Sequence, residues 1–223
     1  LSNKNGVNAL LIGAYSLLDG VGSGNTGRTS TSSNYVFGGI TSGDAVKGTD
    51  AGDQPEQTYI EQFNWLSDNS YFLGKWWGMY DGVARANEAM LLAQSADVKD
   101  MTDAEKAQVV AEAKFLRGHF HFEAKKMWNK VPYISETVYK REDPNSTKIP
   151  NTADIWPNIE KDFSDAAAVL PATQSQKGRA TKWAAMTYLA KAYMFQKKFA
   201  AAKTLLEDVY KNSGKKLVPN YHD

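Results

Sequence analysis

The sequence predicts an all-α fold of stacked helical hairpins, with a long irregular loop near the N-terminus. Three observations carry this. From about residue 70 onward, apolar residues recur every three or four positions, the spacing of one helix face. Start and stop signals punctuate that pattern: Thr102 with Glu105 is a capping box, and Pro171 and Gly214 stand just past apolar runs. Between Gly20 and Thr58 the pattern disappears into Gly, Ser, Thr and Asp, the composition of a loop.

Taken in order, Val7, Leu10, Leu11, Ala14, Leu17 and Leu18 predict a helix over 4–18. The stretch from Gly20 reads as irregular, with a short extended piece around Tyr35–Ile40. Trp76, Met79, Tyr80, Val83, Ala86, Asn87 and Met90 predict a helix near 72–94. The next, near 104–128, runs from the capping box through Leu116 and Phe120 to Trp128, with Val131-Pro132 as its stop. Thr152 or Asp154 caps a helix near 154–170 whose apolar face includes Ile159 and Phe163. Lys177-Gly178-Arg179 is a loop, and helices over 181–196 and 199–212 complete the set of six.

The last two helices fit a repeat template. Leu189, Ala190 and Tyr193, followed by Ala202 and Leu206, match the tetratricopeptide pattern, in which small residues let two helices approach and large ones fill the gaps. One such hairpin cannot bury its own face, so the earlier helices are expected to stack on it. The chain is therefore read as a single domain over 1–223, with the loop at about 20–70 and hairpins at about 71–213.

Composition excludes several classes. The 223 residues include 6 Trp, 11 Tyr and 9 Phe, too many for a disordered chain. Lys and Arg number 26 against 25 Asp and Glu, so no basic field exists to hold nucleic acid. Cysteine is absent, which removes disulfides, thiolate catalysis and sulfur-based metal sites. No apolar run is long enough to cross a membrane as a helix. The start, Leu1-Ser2-Asn3, lacks a signal peptide, and a processed or truncated N-terminus is expected.

Four blocks then carry a family resemblance. Trp76-Trp77-Gly78-Met79-Tyr80-Asp81-Gly82-Val83-Ala84-Arg85-Ala86-Asn87 resembles the W-x-x-x-Y-x-x-I-x-x-A-N stretch of SusD/RagB proteins, with Val83 for isoleucine. Glu112-Ala113-Lys114-Phe115-Leu116-Arg117-Gly118 through Phe122 to Val131-Pro132 resembles the E-A-R-F-L-R-A…F…G-x-V-P block. Lys114, Gly118 and Asn129 depart from it. Ile155 to Leu170 is similar to the D-L-x-x-A-x-x-x-L segment, with Phe163 for leucine, and Gly178-Arg179-Ala180-Thr181 through Tyr193 to G-R-A-T…A…L-A-x-x-Y. The resemblance implies a cell-surface lipoprotein of the outer membrane that binds oligosaccharide or another nutrient for a TonB-dependent, SusC-like transporter. It implies no catalysis and no cofactor. It also implies a lipid anchor ahead of this chain and a later part of the family fold beyond it.

The blocks read as scaffold: Trp76 and Tyr80 as core, Asn87 as a backbone crosslink, Arg117 as the partner of a carboxylate or helix end. No nucleophile motif, phosphate loop or carboxylate dyad is discernible. His119 and His121 lie two apart on a helix and point in different directions, so a shared metal is not expected. Asp44, Asp50 and Asp53 lack the alternation of a calcium loop and read as loop carboxylates. Gly20 to Gly24 lacks the strand and helix of a phosphate loop.

The candidate ligand surface is the loop exit. Asn64, Trp65, Asp68, Asn69 and Tyr71, with Asp44 earlier, stand before helical periodicity begins. Sugars offer apolar C–H faces for an indole and hydroxyls for amide and carboxylate groups. The alternative is that Trp65 and Phe63 pack the loop onto the helices.

Overall fold

Capping chemistry sets where the helices begin. The structure, a computed structural model, describes residues 3–18, 34–50 and 52–220. The described residues form α1 (Lys4–Tyr15), α2 (Asn34–Phe37), α3 (Gly39–Ser42), α4 (Pro55–Glu61), α5 (Ser70–Ser95), α6 (Asp103–Trp128), α7 (Trp156–Val169), α8 (Lys182–Phe195) and α9 (Phe199–Asn212), with no strand among them. Asn3, Asn69, Thr102 and Thr181 cap α1, α5, α6 and α8 with their side chains, each satisfying an otherwise orphan N–H. The Thr102–Glu105 capping box is present in both directions.

Three details differ from the sequence expectation. Tyr35–Ile40 is helical instead of extended, split between α2 and α3; helices of four residues are too short to show a period. α6 stops at Trp128, ahead of Val131-Pro132, because Asn129 turns out of the helix with a φ of 59°. Neither Thr152 nor Asp154 is the cap of α7: Ile155 occupies that position, Pro157 lies in the first turn, and the Asp154 carboxylate accepts the Trp156 N–H at 3.3 Å. The glycine run Gly20–Gly24 lies outside the described residues.

α5 to α9 pack each on the next, and α1 lies across α5 and α6, the stacked-hairpin architecture that the apolar periodicity predicts. Small residues set how closely the helices approach. A Cβ on Gly82 of α5 would lie 2.5 Å from the Phe120 ring of α6, and one on Gly118 would lie 3.0 Å from the Phe163 ring of α7. In the α8–α9 hairpin Leu189, Ala190 and Ala202 are buried and Tyr193 partly so. Leu206 is the exception, 36% exposed, since no helix among the described residues stacks on the outer face of α9.

Two polar networks join the layers. In the larger, Arg117 of α6 donates to both oxygens of Asp162 on α7, at 2.9 and 2.6 Å, to Asn87 of α5 at 3.0 Å, and to Glu136. Asn87 donates onward to the Ile134 carbonyl at 3.0 Å, and Tyr133 donates to Asp162 at 2.8 Å. His121 closes the circuit. Its Nε2 accepts the Ile134 N–H at 3.1 Å, so Nδ1 carries the proton and donates to the Arg117 carbonyl at 3.1 Å. Burial, reinforced by Arg117, pushes the His121 pKa down to about 3, which keeps the ring neutral.

The smaller network ties α1, α6 and the loop before α8. Tyr15 donates to Glu112 at 2.7 Å and accepts the Ala180 N–H at 2.8 Å, while Arg179 pairs with Glu112 at 3.3 Å. Tyr15 thus serves as donor and acceptor at once, between a carboxylate and a backbone N–H.

Arg117 and Asp162 are 3% and 1% exposed, and removing one partner of such a pair leaves the other buried and uncompensated. Arg117→Met is expected to cost about 3–5 kcal/mol of unfolding free energy, measured by denaturant titration. A loss below 1 kcal/mol would show that the bond is incidental.

Candidate ligand-binding surface

The loop exit is shaped by how α4 ends. Its last turn closes with the Phe63 N–H donating to the Ile60 carbonyl at 3.1 Å and the Asn64 N–H to the Tyr59 carbonyl at 2.8 Å. Phe63 takes the left-handed position, with a φ of 55°. This is a Schellman stop with a phenylalanine where glycine is usual, and it reverses the chain so that Phe63 and Trp65 come to the surface. Their rings sit 5.9 Å apart, and Trp65 meets Phe72 of α5 edge-on at 5.5 Å. Phe72 in turn contacts Phe37 of α2 at 5.5 Å.

Beneath these rings lies a small separate core of Val36, Ile60 and Tyr71. Gln57 donates to the Tyr71 hydroxyl at 2.7 Å, and that hydroxyl donates to Gln54 at 2.7 Å. Tyr35 donates to Gln57 at 3.0 Å. Glu56 accepts the Ser70 N–H at 2.9 Å, and its carbonyl accepts the Asn69 side-chain amide at 3.0 Å. α4 is therefore held against the start of α5 by polar groups with little apolar area.

The six candidate residues separate into three groups. Trp65 is 42% exposed, with exposed Asn64 and Asp68 on the same loop; neither polar side chain makes a hydrogen bond among the described residues. Asn69 and Tyr71 are instead buried, at 3% and 5%. Asn69 caps α5 and Tyr71 fills the small core, so both are structural and leave the ligand surface. Asp44 lies in the turn after α3, where it accepts the Ser42 hydroxyl at 2.9 Å, and no contact joins it to Trp65. Asp50 and Asp53 accept bonds within their own loop, from Gly52 N–H at 2.8 Å and Thr49 at 3.0 Å.

The sequence gives no signal for the other exposed apolar side chains of this region. Phe63 and Leu66 are 64% and 68% exposed, and Leu73 and Trp77, one turn apart on α5, are 47% and 50% exposed. Trp65 thus packs on both Phe63 and Phe72 and still keeps 42% of its surface in solvent.

With this geometry in view, the comparisons decide the family. A family model described as "Starch-binding associating with outer membrane", the SusD-like type, matches residues 10–194. The chain belongs to the SusD-like family. A "SusD-like protein" of Bacteroides ovatus is 30% identical over 161 residues, covering 67% of this chain and 29% of that protein. The "Surface glycan-binding protein A from Bacteroides fluxus" superposes with a TM-score of 0.77 at 26% identity, over 96% of this chain and 45% of that one. A "Laminarin binding SusD-like protein" gives 0.79 at 24% identity, over 98% and 47%. The chain thus spans less than half the length of these relatives.

The four family blocks coincide with the two buried networks: Asn87, Glu112, Arg117, Asp162, Arg179 and Ala180 are all members. None of them lies on the Trp65 loop. Tyr71→Phe removes a hydroxyl bonded to two glutamines, and is expected to lower stability by about 1–2 kcal/mol while leaving glycan affinity of the folded protein unchanged. Unfolding curves and calorimetric titration of the variant would check both, and a loss of affinity without a loss of stability would return Tyr71 to the ligand surface.

Proposed function

We propose that the complete protein captures glycan, or another nutrient, at the outer-membrane surface and passes it to a TonB-dependent, SusC-like transporter without breaking bonds itself. A lipid anchor preceding this chain would hold it at the membrane, and the later part of the family fold would share in ligand contact. Family membership carries this reading. The family is described as starch-binding and associated with the outer membrane, and its structural relatives include a laminarin-binding SusD-like protein and a surface glycan-binding protein in complex with laminarihexaose.

The local contribution of this chain is the Trp65 loop. The indole is 42% exposed, beside Asn64 and Asp68, whose exposed side chains make no hydrogen bond among the described residues. An aromatic face stacks on the C–H face of a sugar ring, and short amide and carboxylate groups at its edge accept or donate to hydroxyls. The second reading is a tetratricopeptide-type interaction module. It is favoured by the apolar groove of Met194, Phe199, Leu206 and Tyr210 on the outer side of α8 and α9, a shape suited to a helix or peptide.

Trp65→Ala in the complete protein is expected to weaken oligosaccharide binding by about 1–3 kcal/mol, with a melting temperature close to that of the parent. Calorimetric titration with laminarihexaose and a panel of neutral glycans reads the effect. Unchanged affinity for every glycan bound would move the site off this loop.

A further inference from the structure

A cavity of about 570 Å³ is lined by none of the residues of the networks described above. It lies where the end of α1 and the turn after α2 meet α5, α6 and α8. Its walls mix apolar side chains, such as Leu17, Met79 and Met127, with six polar or charged ones: Lys75, His119, Glu123, Lys126, Tyr188 and Lys191. Among the described residues its lining thus holds three ammonium groups and one carboxylate, in a chain whose overall charge is only +1.

The arrangement of those groups is specific. Lys126 reaches Glu123 at 2.7 Å. Lys191 has no ion pair among the described residues; its ammonium lies 5.5 Å from the Tyr188 ring centroid and 5.4 Å from that of Phe122. Lys126 stands 5.2 Å from the same Phe122 ring, so two like charges are gathered at one aromatic side chain. Lys75 is only 3% exposed. His119 packs against Tyr188 and Phe120, and its Nδ1 is out of solvent with no hydrogen-bond partner among the described residues. Burial holds the imidazole neutral, with its pKa lowered to about 4, so one ring nitrogen is a donor and the other an acceptor.

Like charges brought together in a partly dry cavity repel, and an anion between them relieves the repulsion. The volume falls in the range of small-ligand pockets, and the apolar walls suit the C–H face of a sugar ring. We propose that this cavity binds an acidic sugar, one whose ring carries a carboxylate or a sulfate, with Lys191 and Lys126 meeting the charge. The sugar part of this assignment rests on the glycan-binding reading above. The anion part rests on the cavity alone.

The test is calorimetric titration of the complete protein at low ionic strength with glucuronate, glucose 6-sulfate and glucose, repeated with Lys191→Gln and with Lys203→Gln. Lys191 is exposed, so its replacement does not threaten the fold, and Lys203 on α9 controls for loss of any surface charge. The expected result is that at least one acid binds ten-fold or more tightly than glucose, that Lys191→Gln weakens it five-fold or more, and that Lys203→Gln leaves it unchanged. Which acid binds identifies the anionic group. Equal binding of acid and neutral sugar, no binding of either acid, or indifference to Lys191→Gln overturns the proposal. Laminarihexaose titrated alongside separates the two sites: retained neutral-glycan binding with no acid binding defeats this cavity alone, and Lys191-dependent acid binding without any neutral-glycan binding supports the cavity and defeats the Trp65 reading.

Discussion

The structure depends on Arg117. A guanidinium sealed between three helices must find every one of its partners or destabilise the fold, since burying an unpaired charge costs several kcal/mol. Here it finds Asp162 in a bidentate contact, Asn87 and Glu136. Each partner comes from a different segment, so satisfying the charge fixes α5, α6, α7 and the connection after α6 at once. Directional bonds suit this task better than apolar burial, which tolerates sliding; the fork of the guanidinium does not. His121 extends the constraint by bonding the backbone on both sides, and its low pKa, from burial and the adjacent Arg117, removes the second charge that would otherwise sit beside Arg117.

Around that anchor the helices approach as closely as small residues allow. Gly82 admits the Phe120 ring and Gly118 the Phe163 ring. The Gly118 position is one where the family resemblance expects alanine; the 3.0 Å approach of Phe163, itself larger in one dimension than the expected leucine, accounts for the exchange. Two departures from the family pattern thus compensate each other across the α6–α7 contact. The scaffold blocks are conspicuous as sequence because their residues answer to several partners.

How much of this could be read from the chain follows from the range of each interaction. The capping box at Thr102, the cap at Thr181 and the period of α5 to α9 are local, and they place those helices to within two residues. That Arg117 needs a partner was legible, whereas the identity of Asp162, 45 residues away, was not. α4 ends in a left-handed Phe63 without a glycine to announce it, so the turn that lifts Trp65 to the surface left no signal. Asn69 and Tyr71 have the composition of ligand contacts, yet capping and a small second core claim them. The lysines of the second cavity are scattered over Lys75, Lys126 and Lys191, and only the stacking of helices brings them together.

The account separates a rigid, many-partnered scaffold from ligand surfaces that lie off it, and Trp65 against Trp76 and Trp128 is the contrast that tests it. Trp65 is 42% exposed, whereas Trp76 and Trp128 pack on the main core, 5.1 Å apart. The indole N–H resonances of the six tryptophans, assigned by single substitutions, can be followed by NMR while laminarihexaose or another bound glycan is titrated into the protein. The account predicts a saturable shift of the Trp65 resonance with those of Trp76 and Trp128 unmoved. Saturable glycan binding that shifts the Trp76 or Trp128 resonance and leaves Trp65 in place would contradict it.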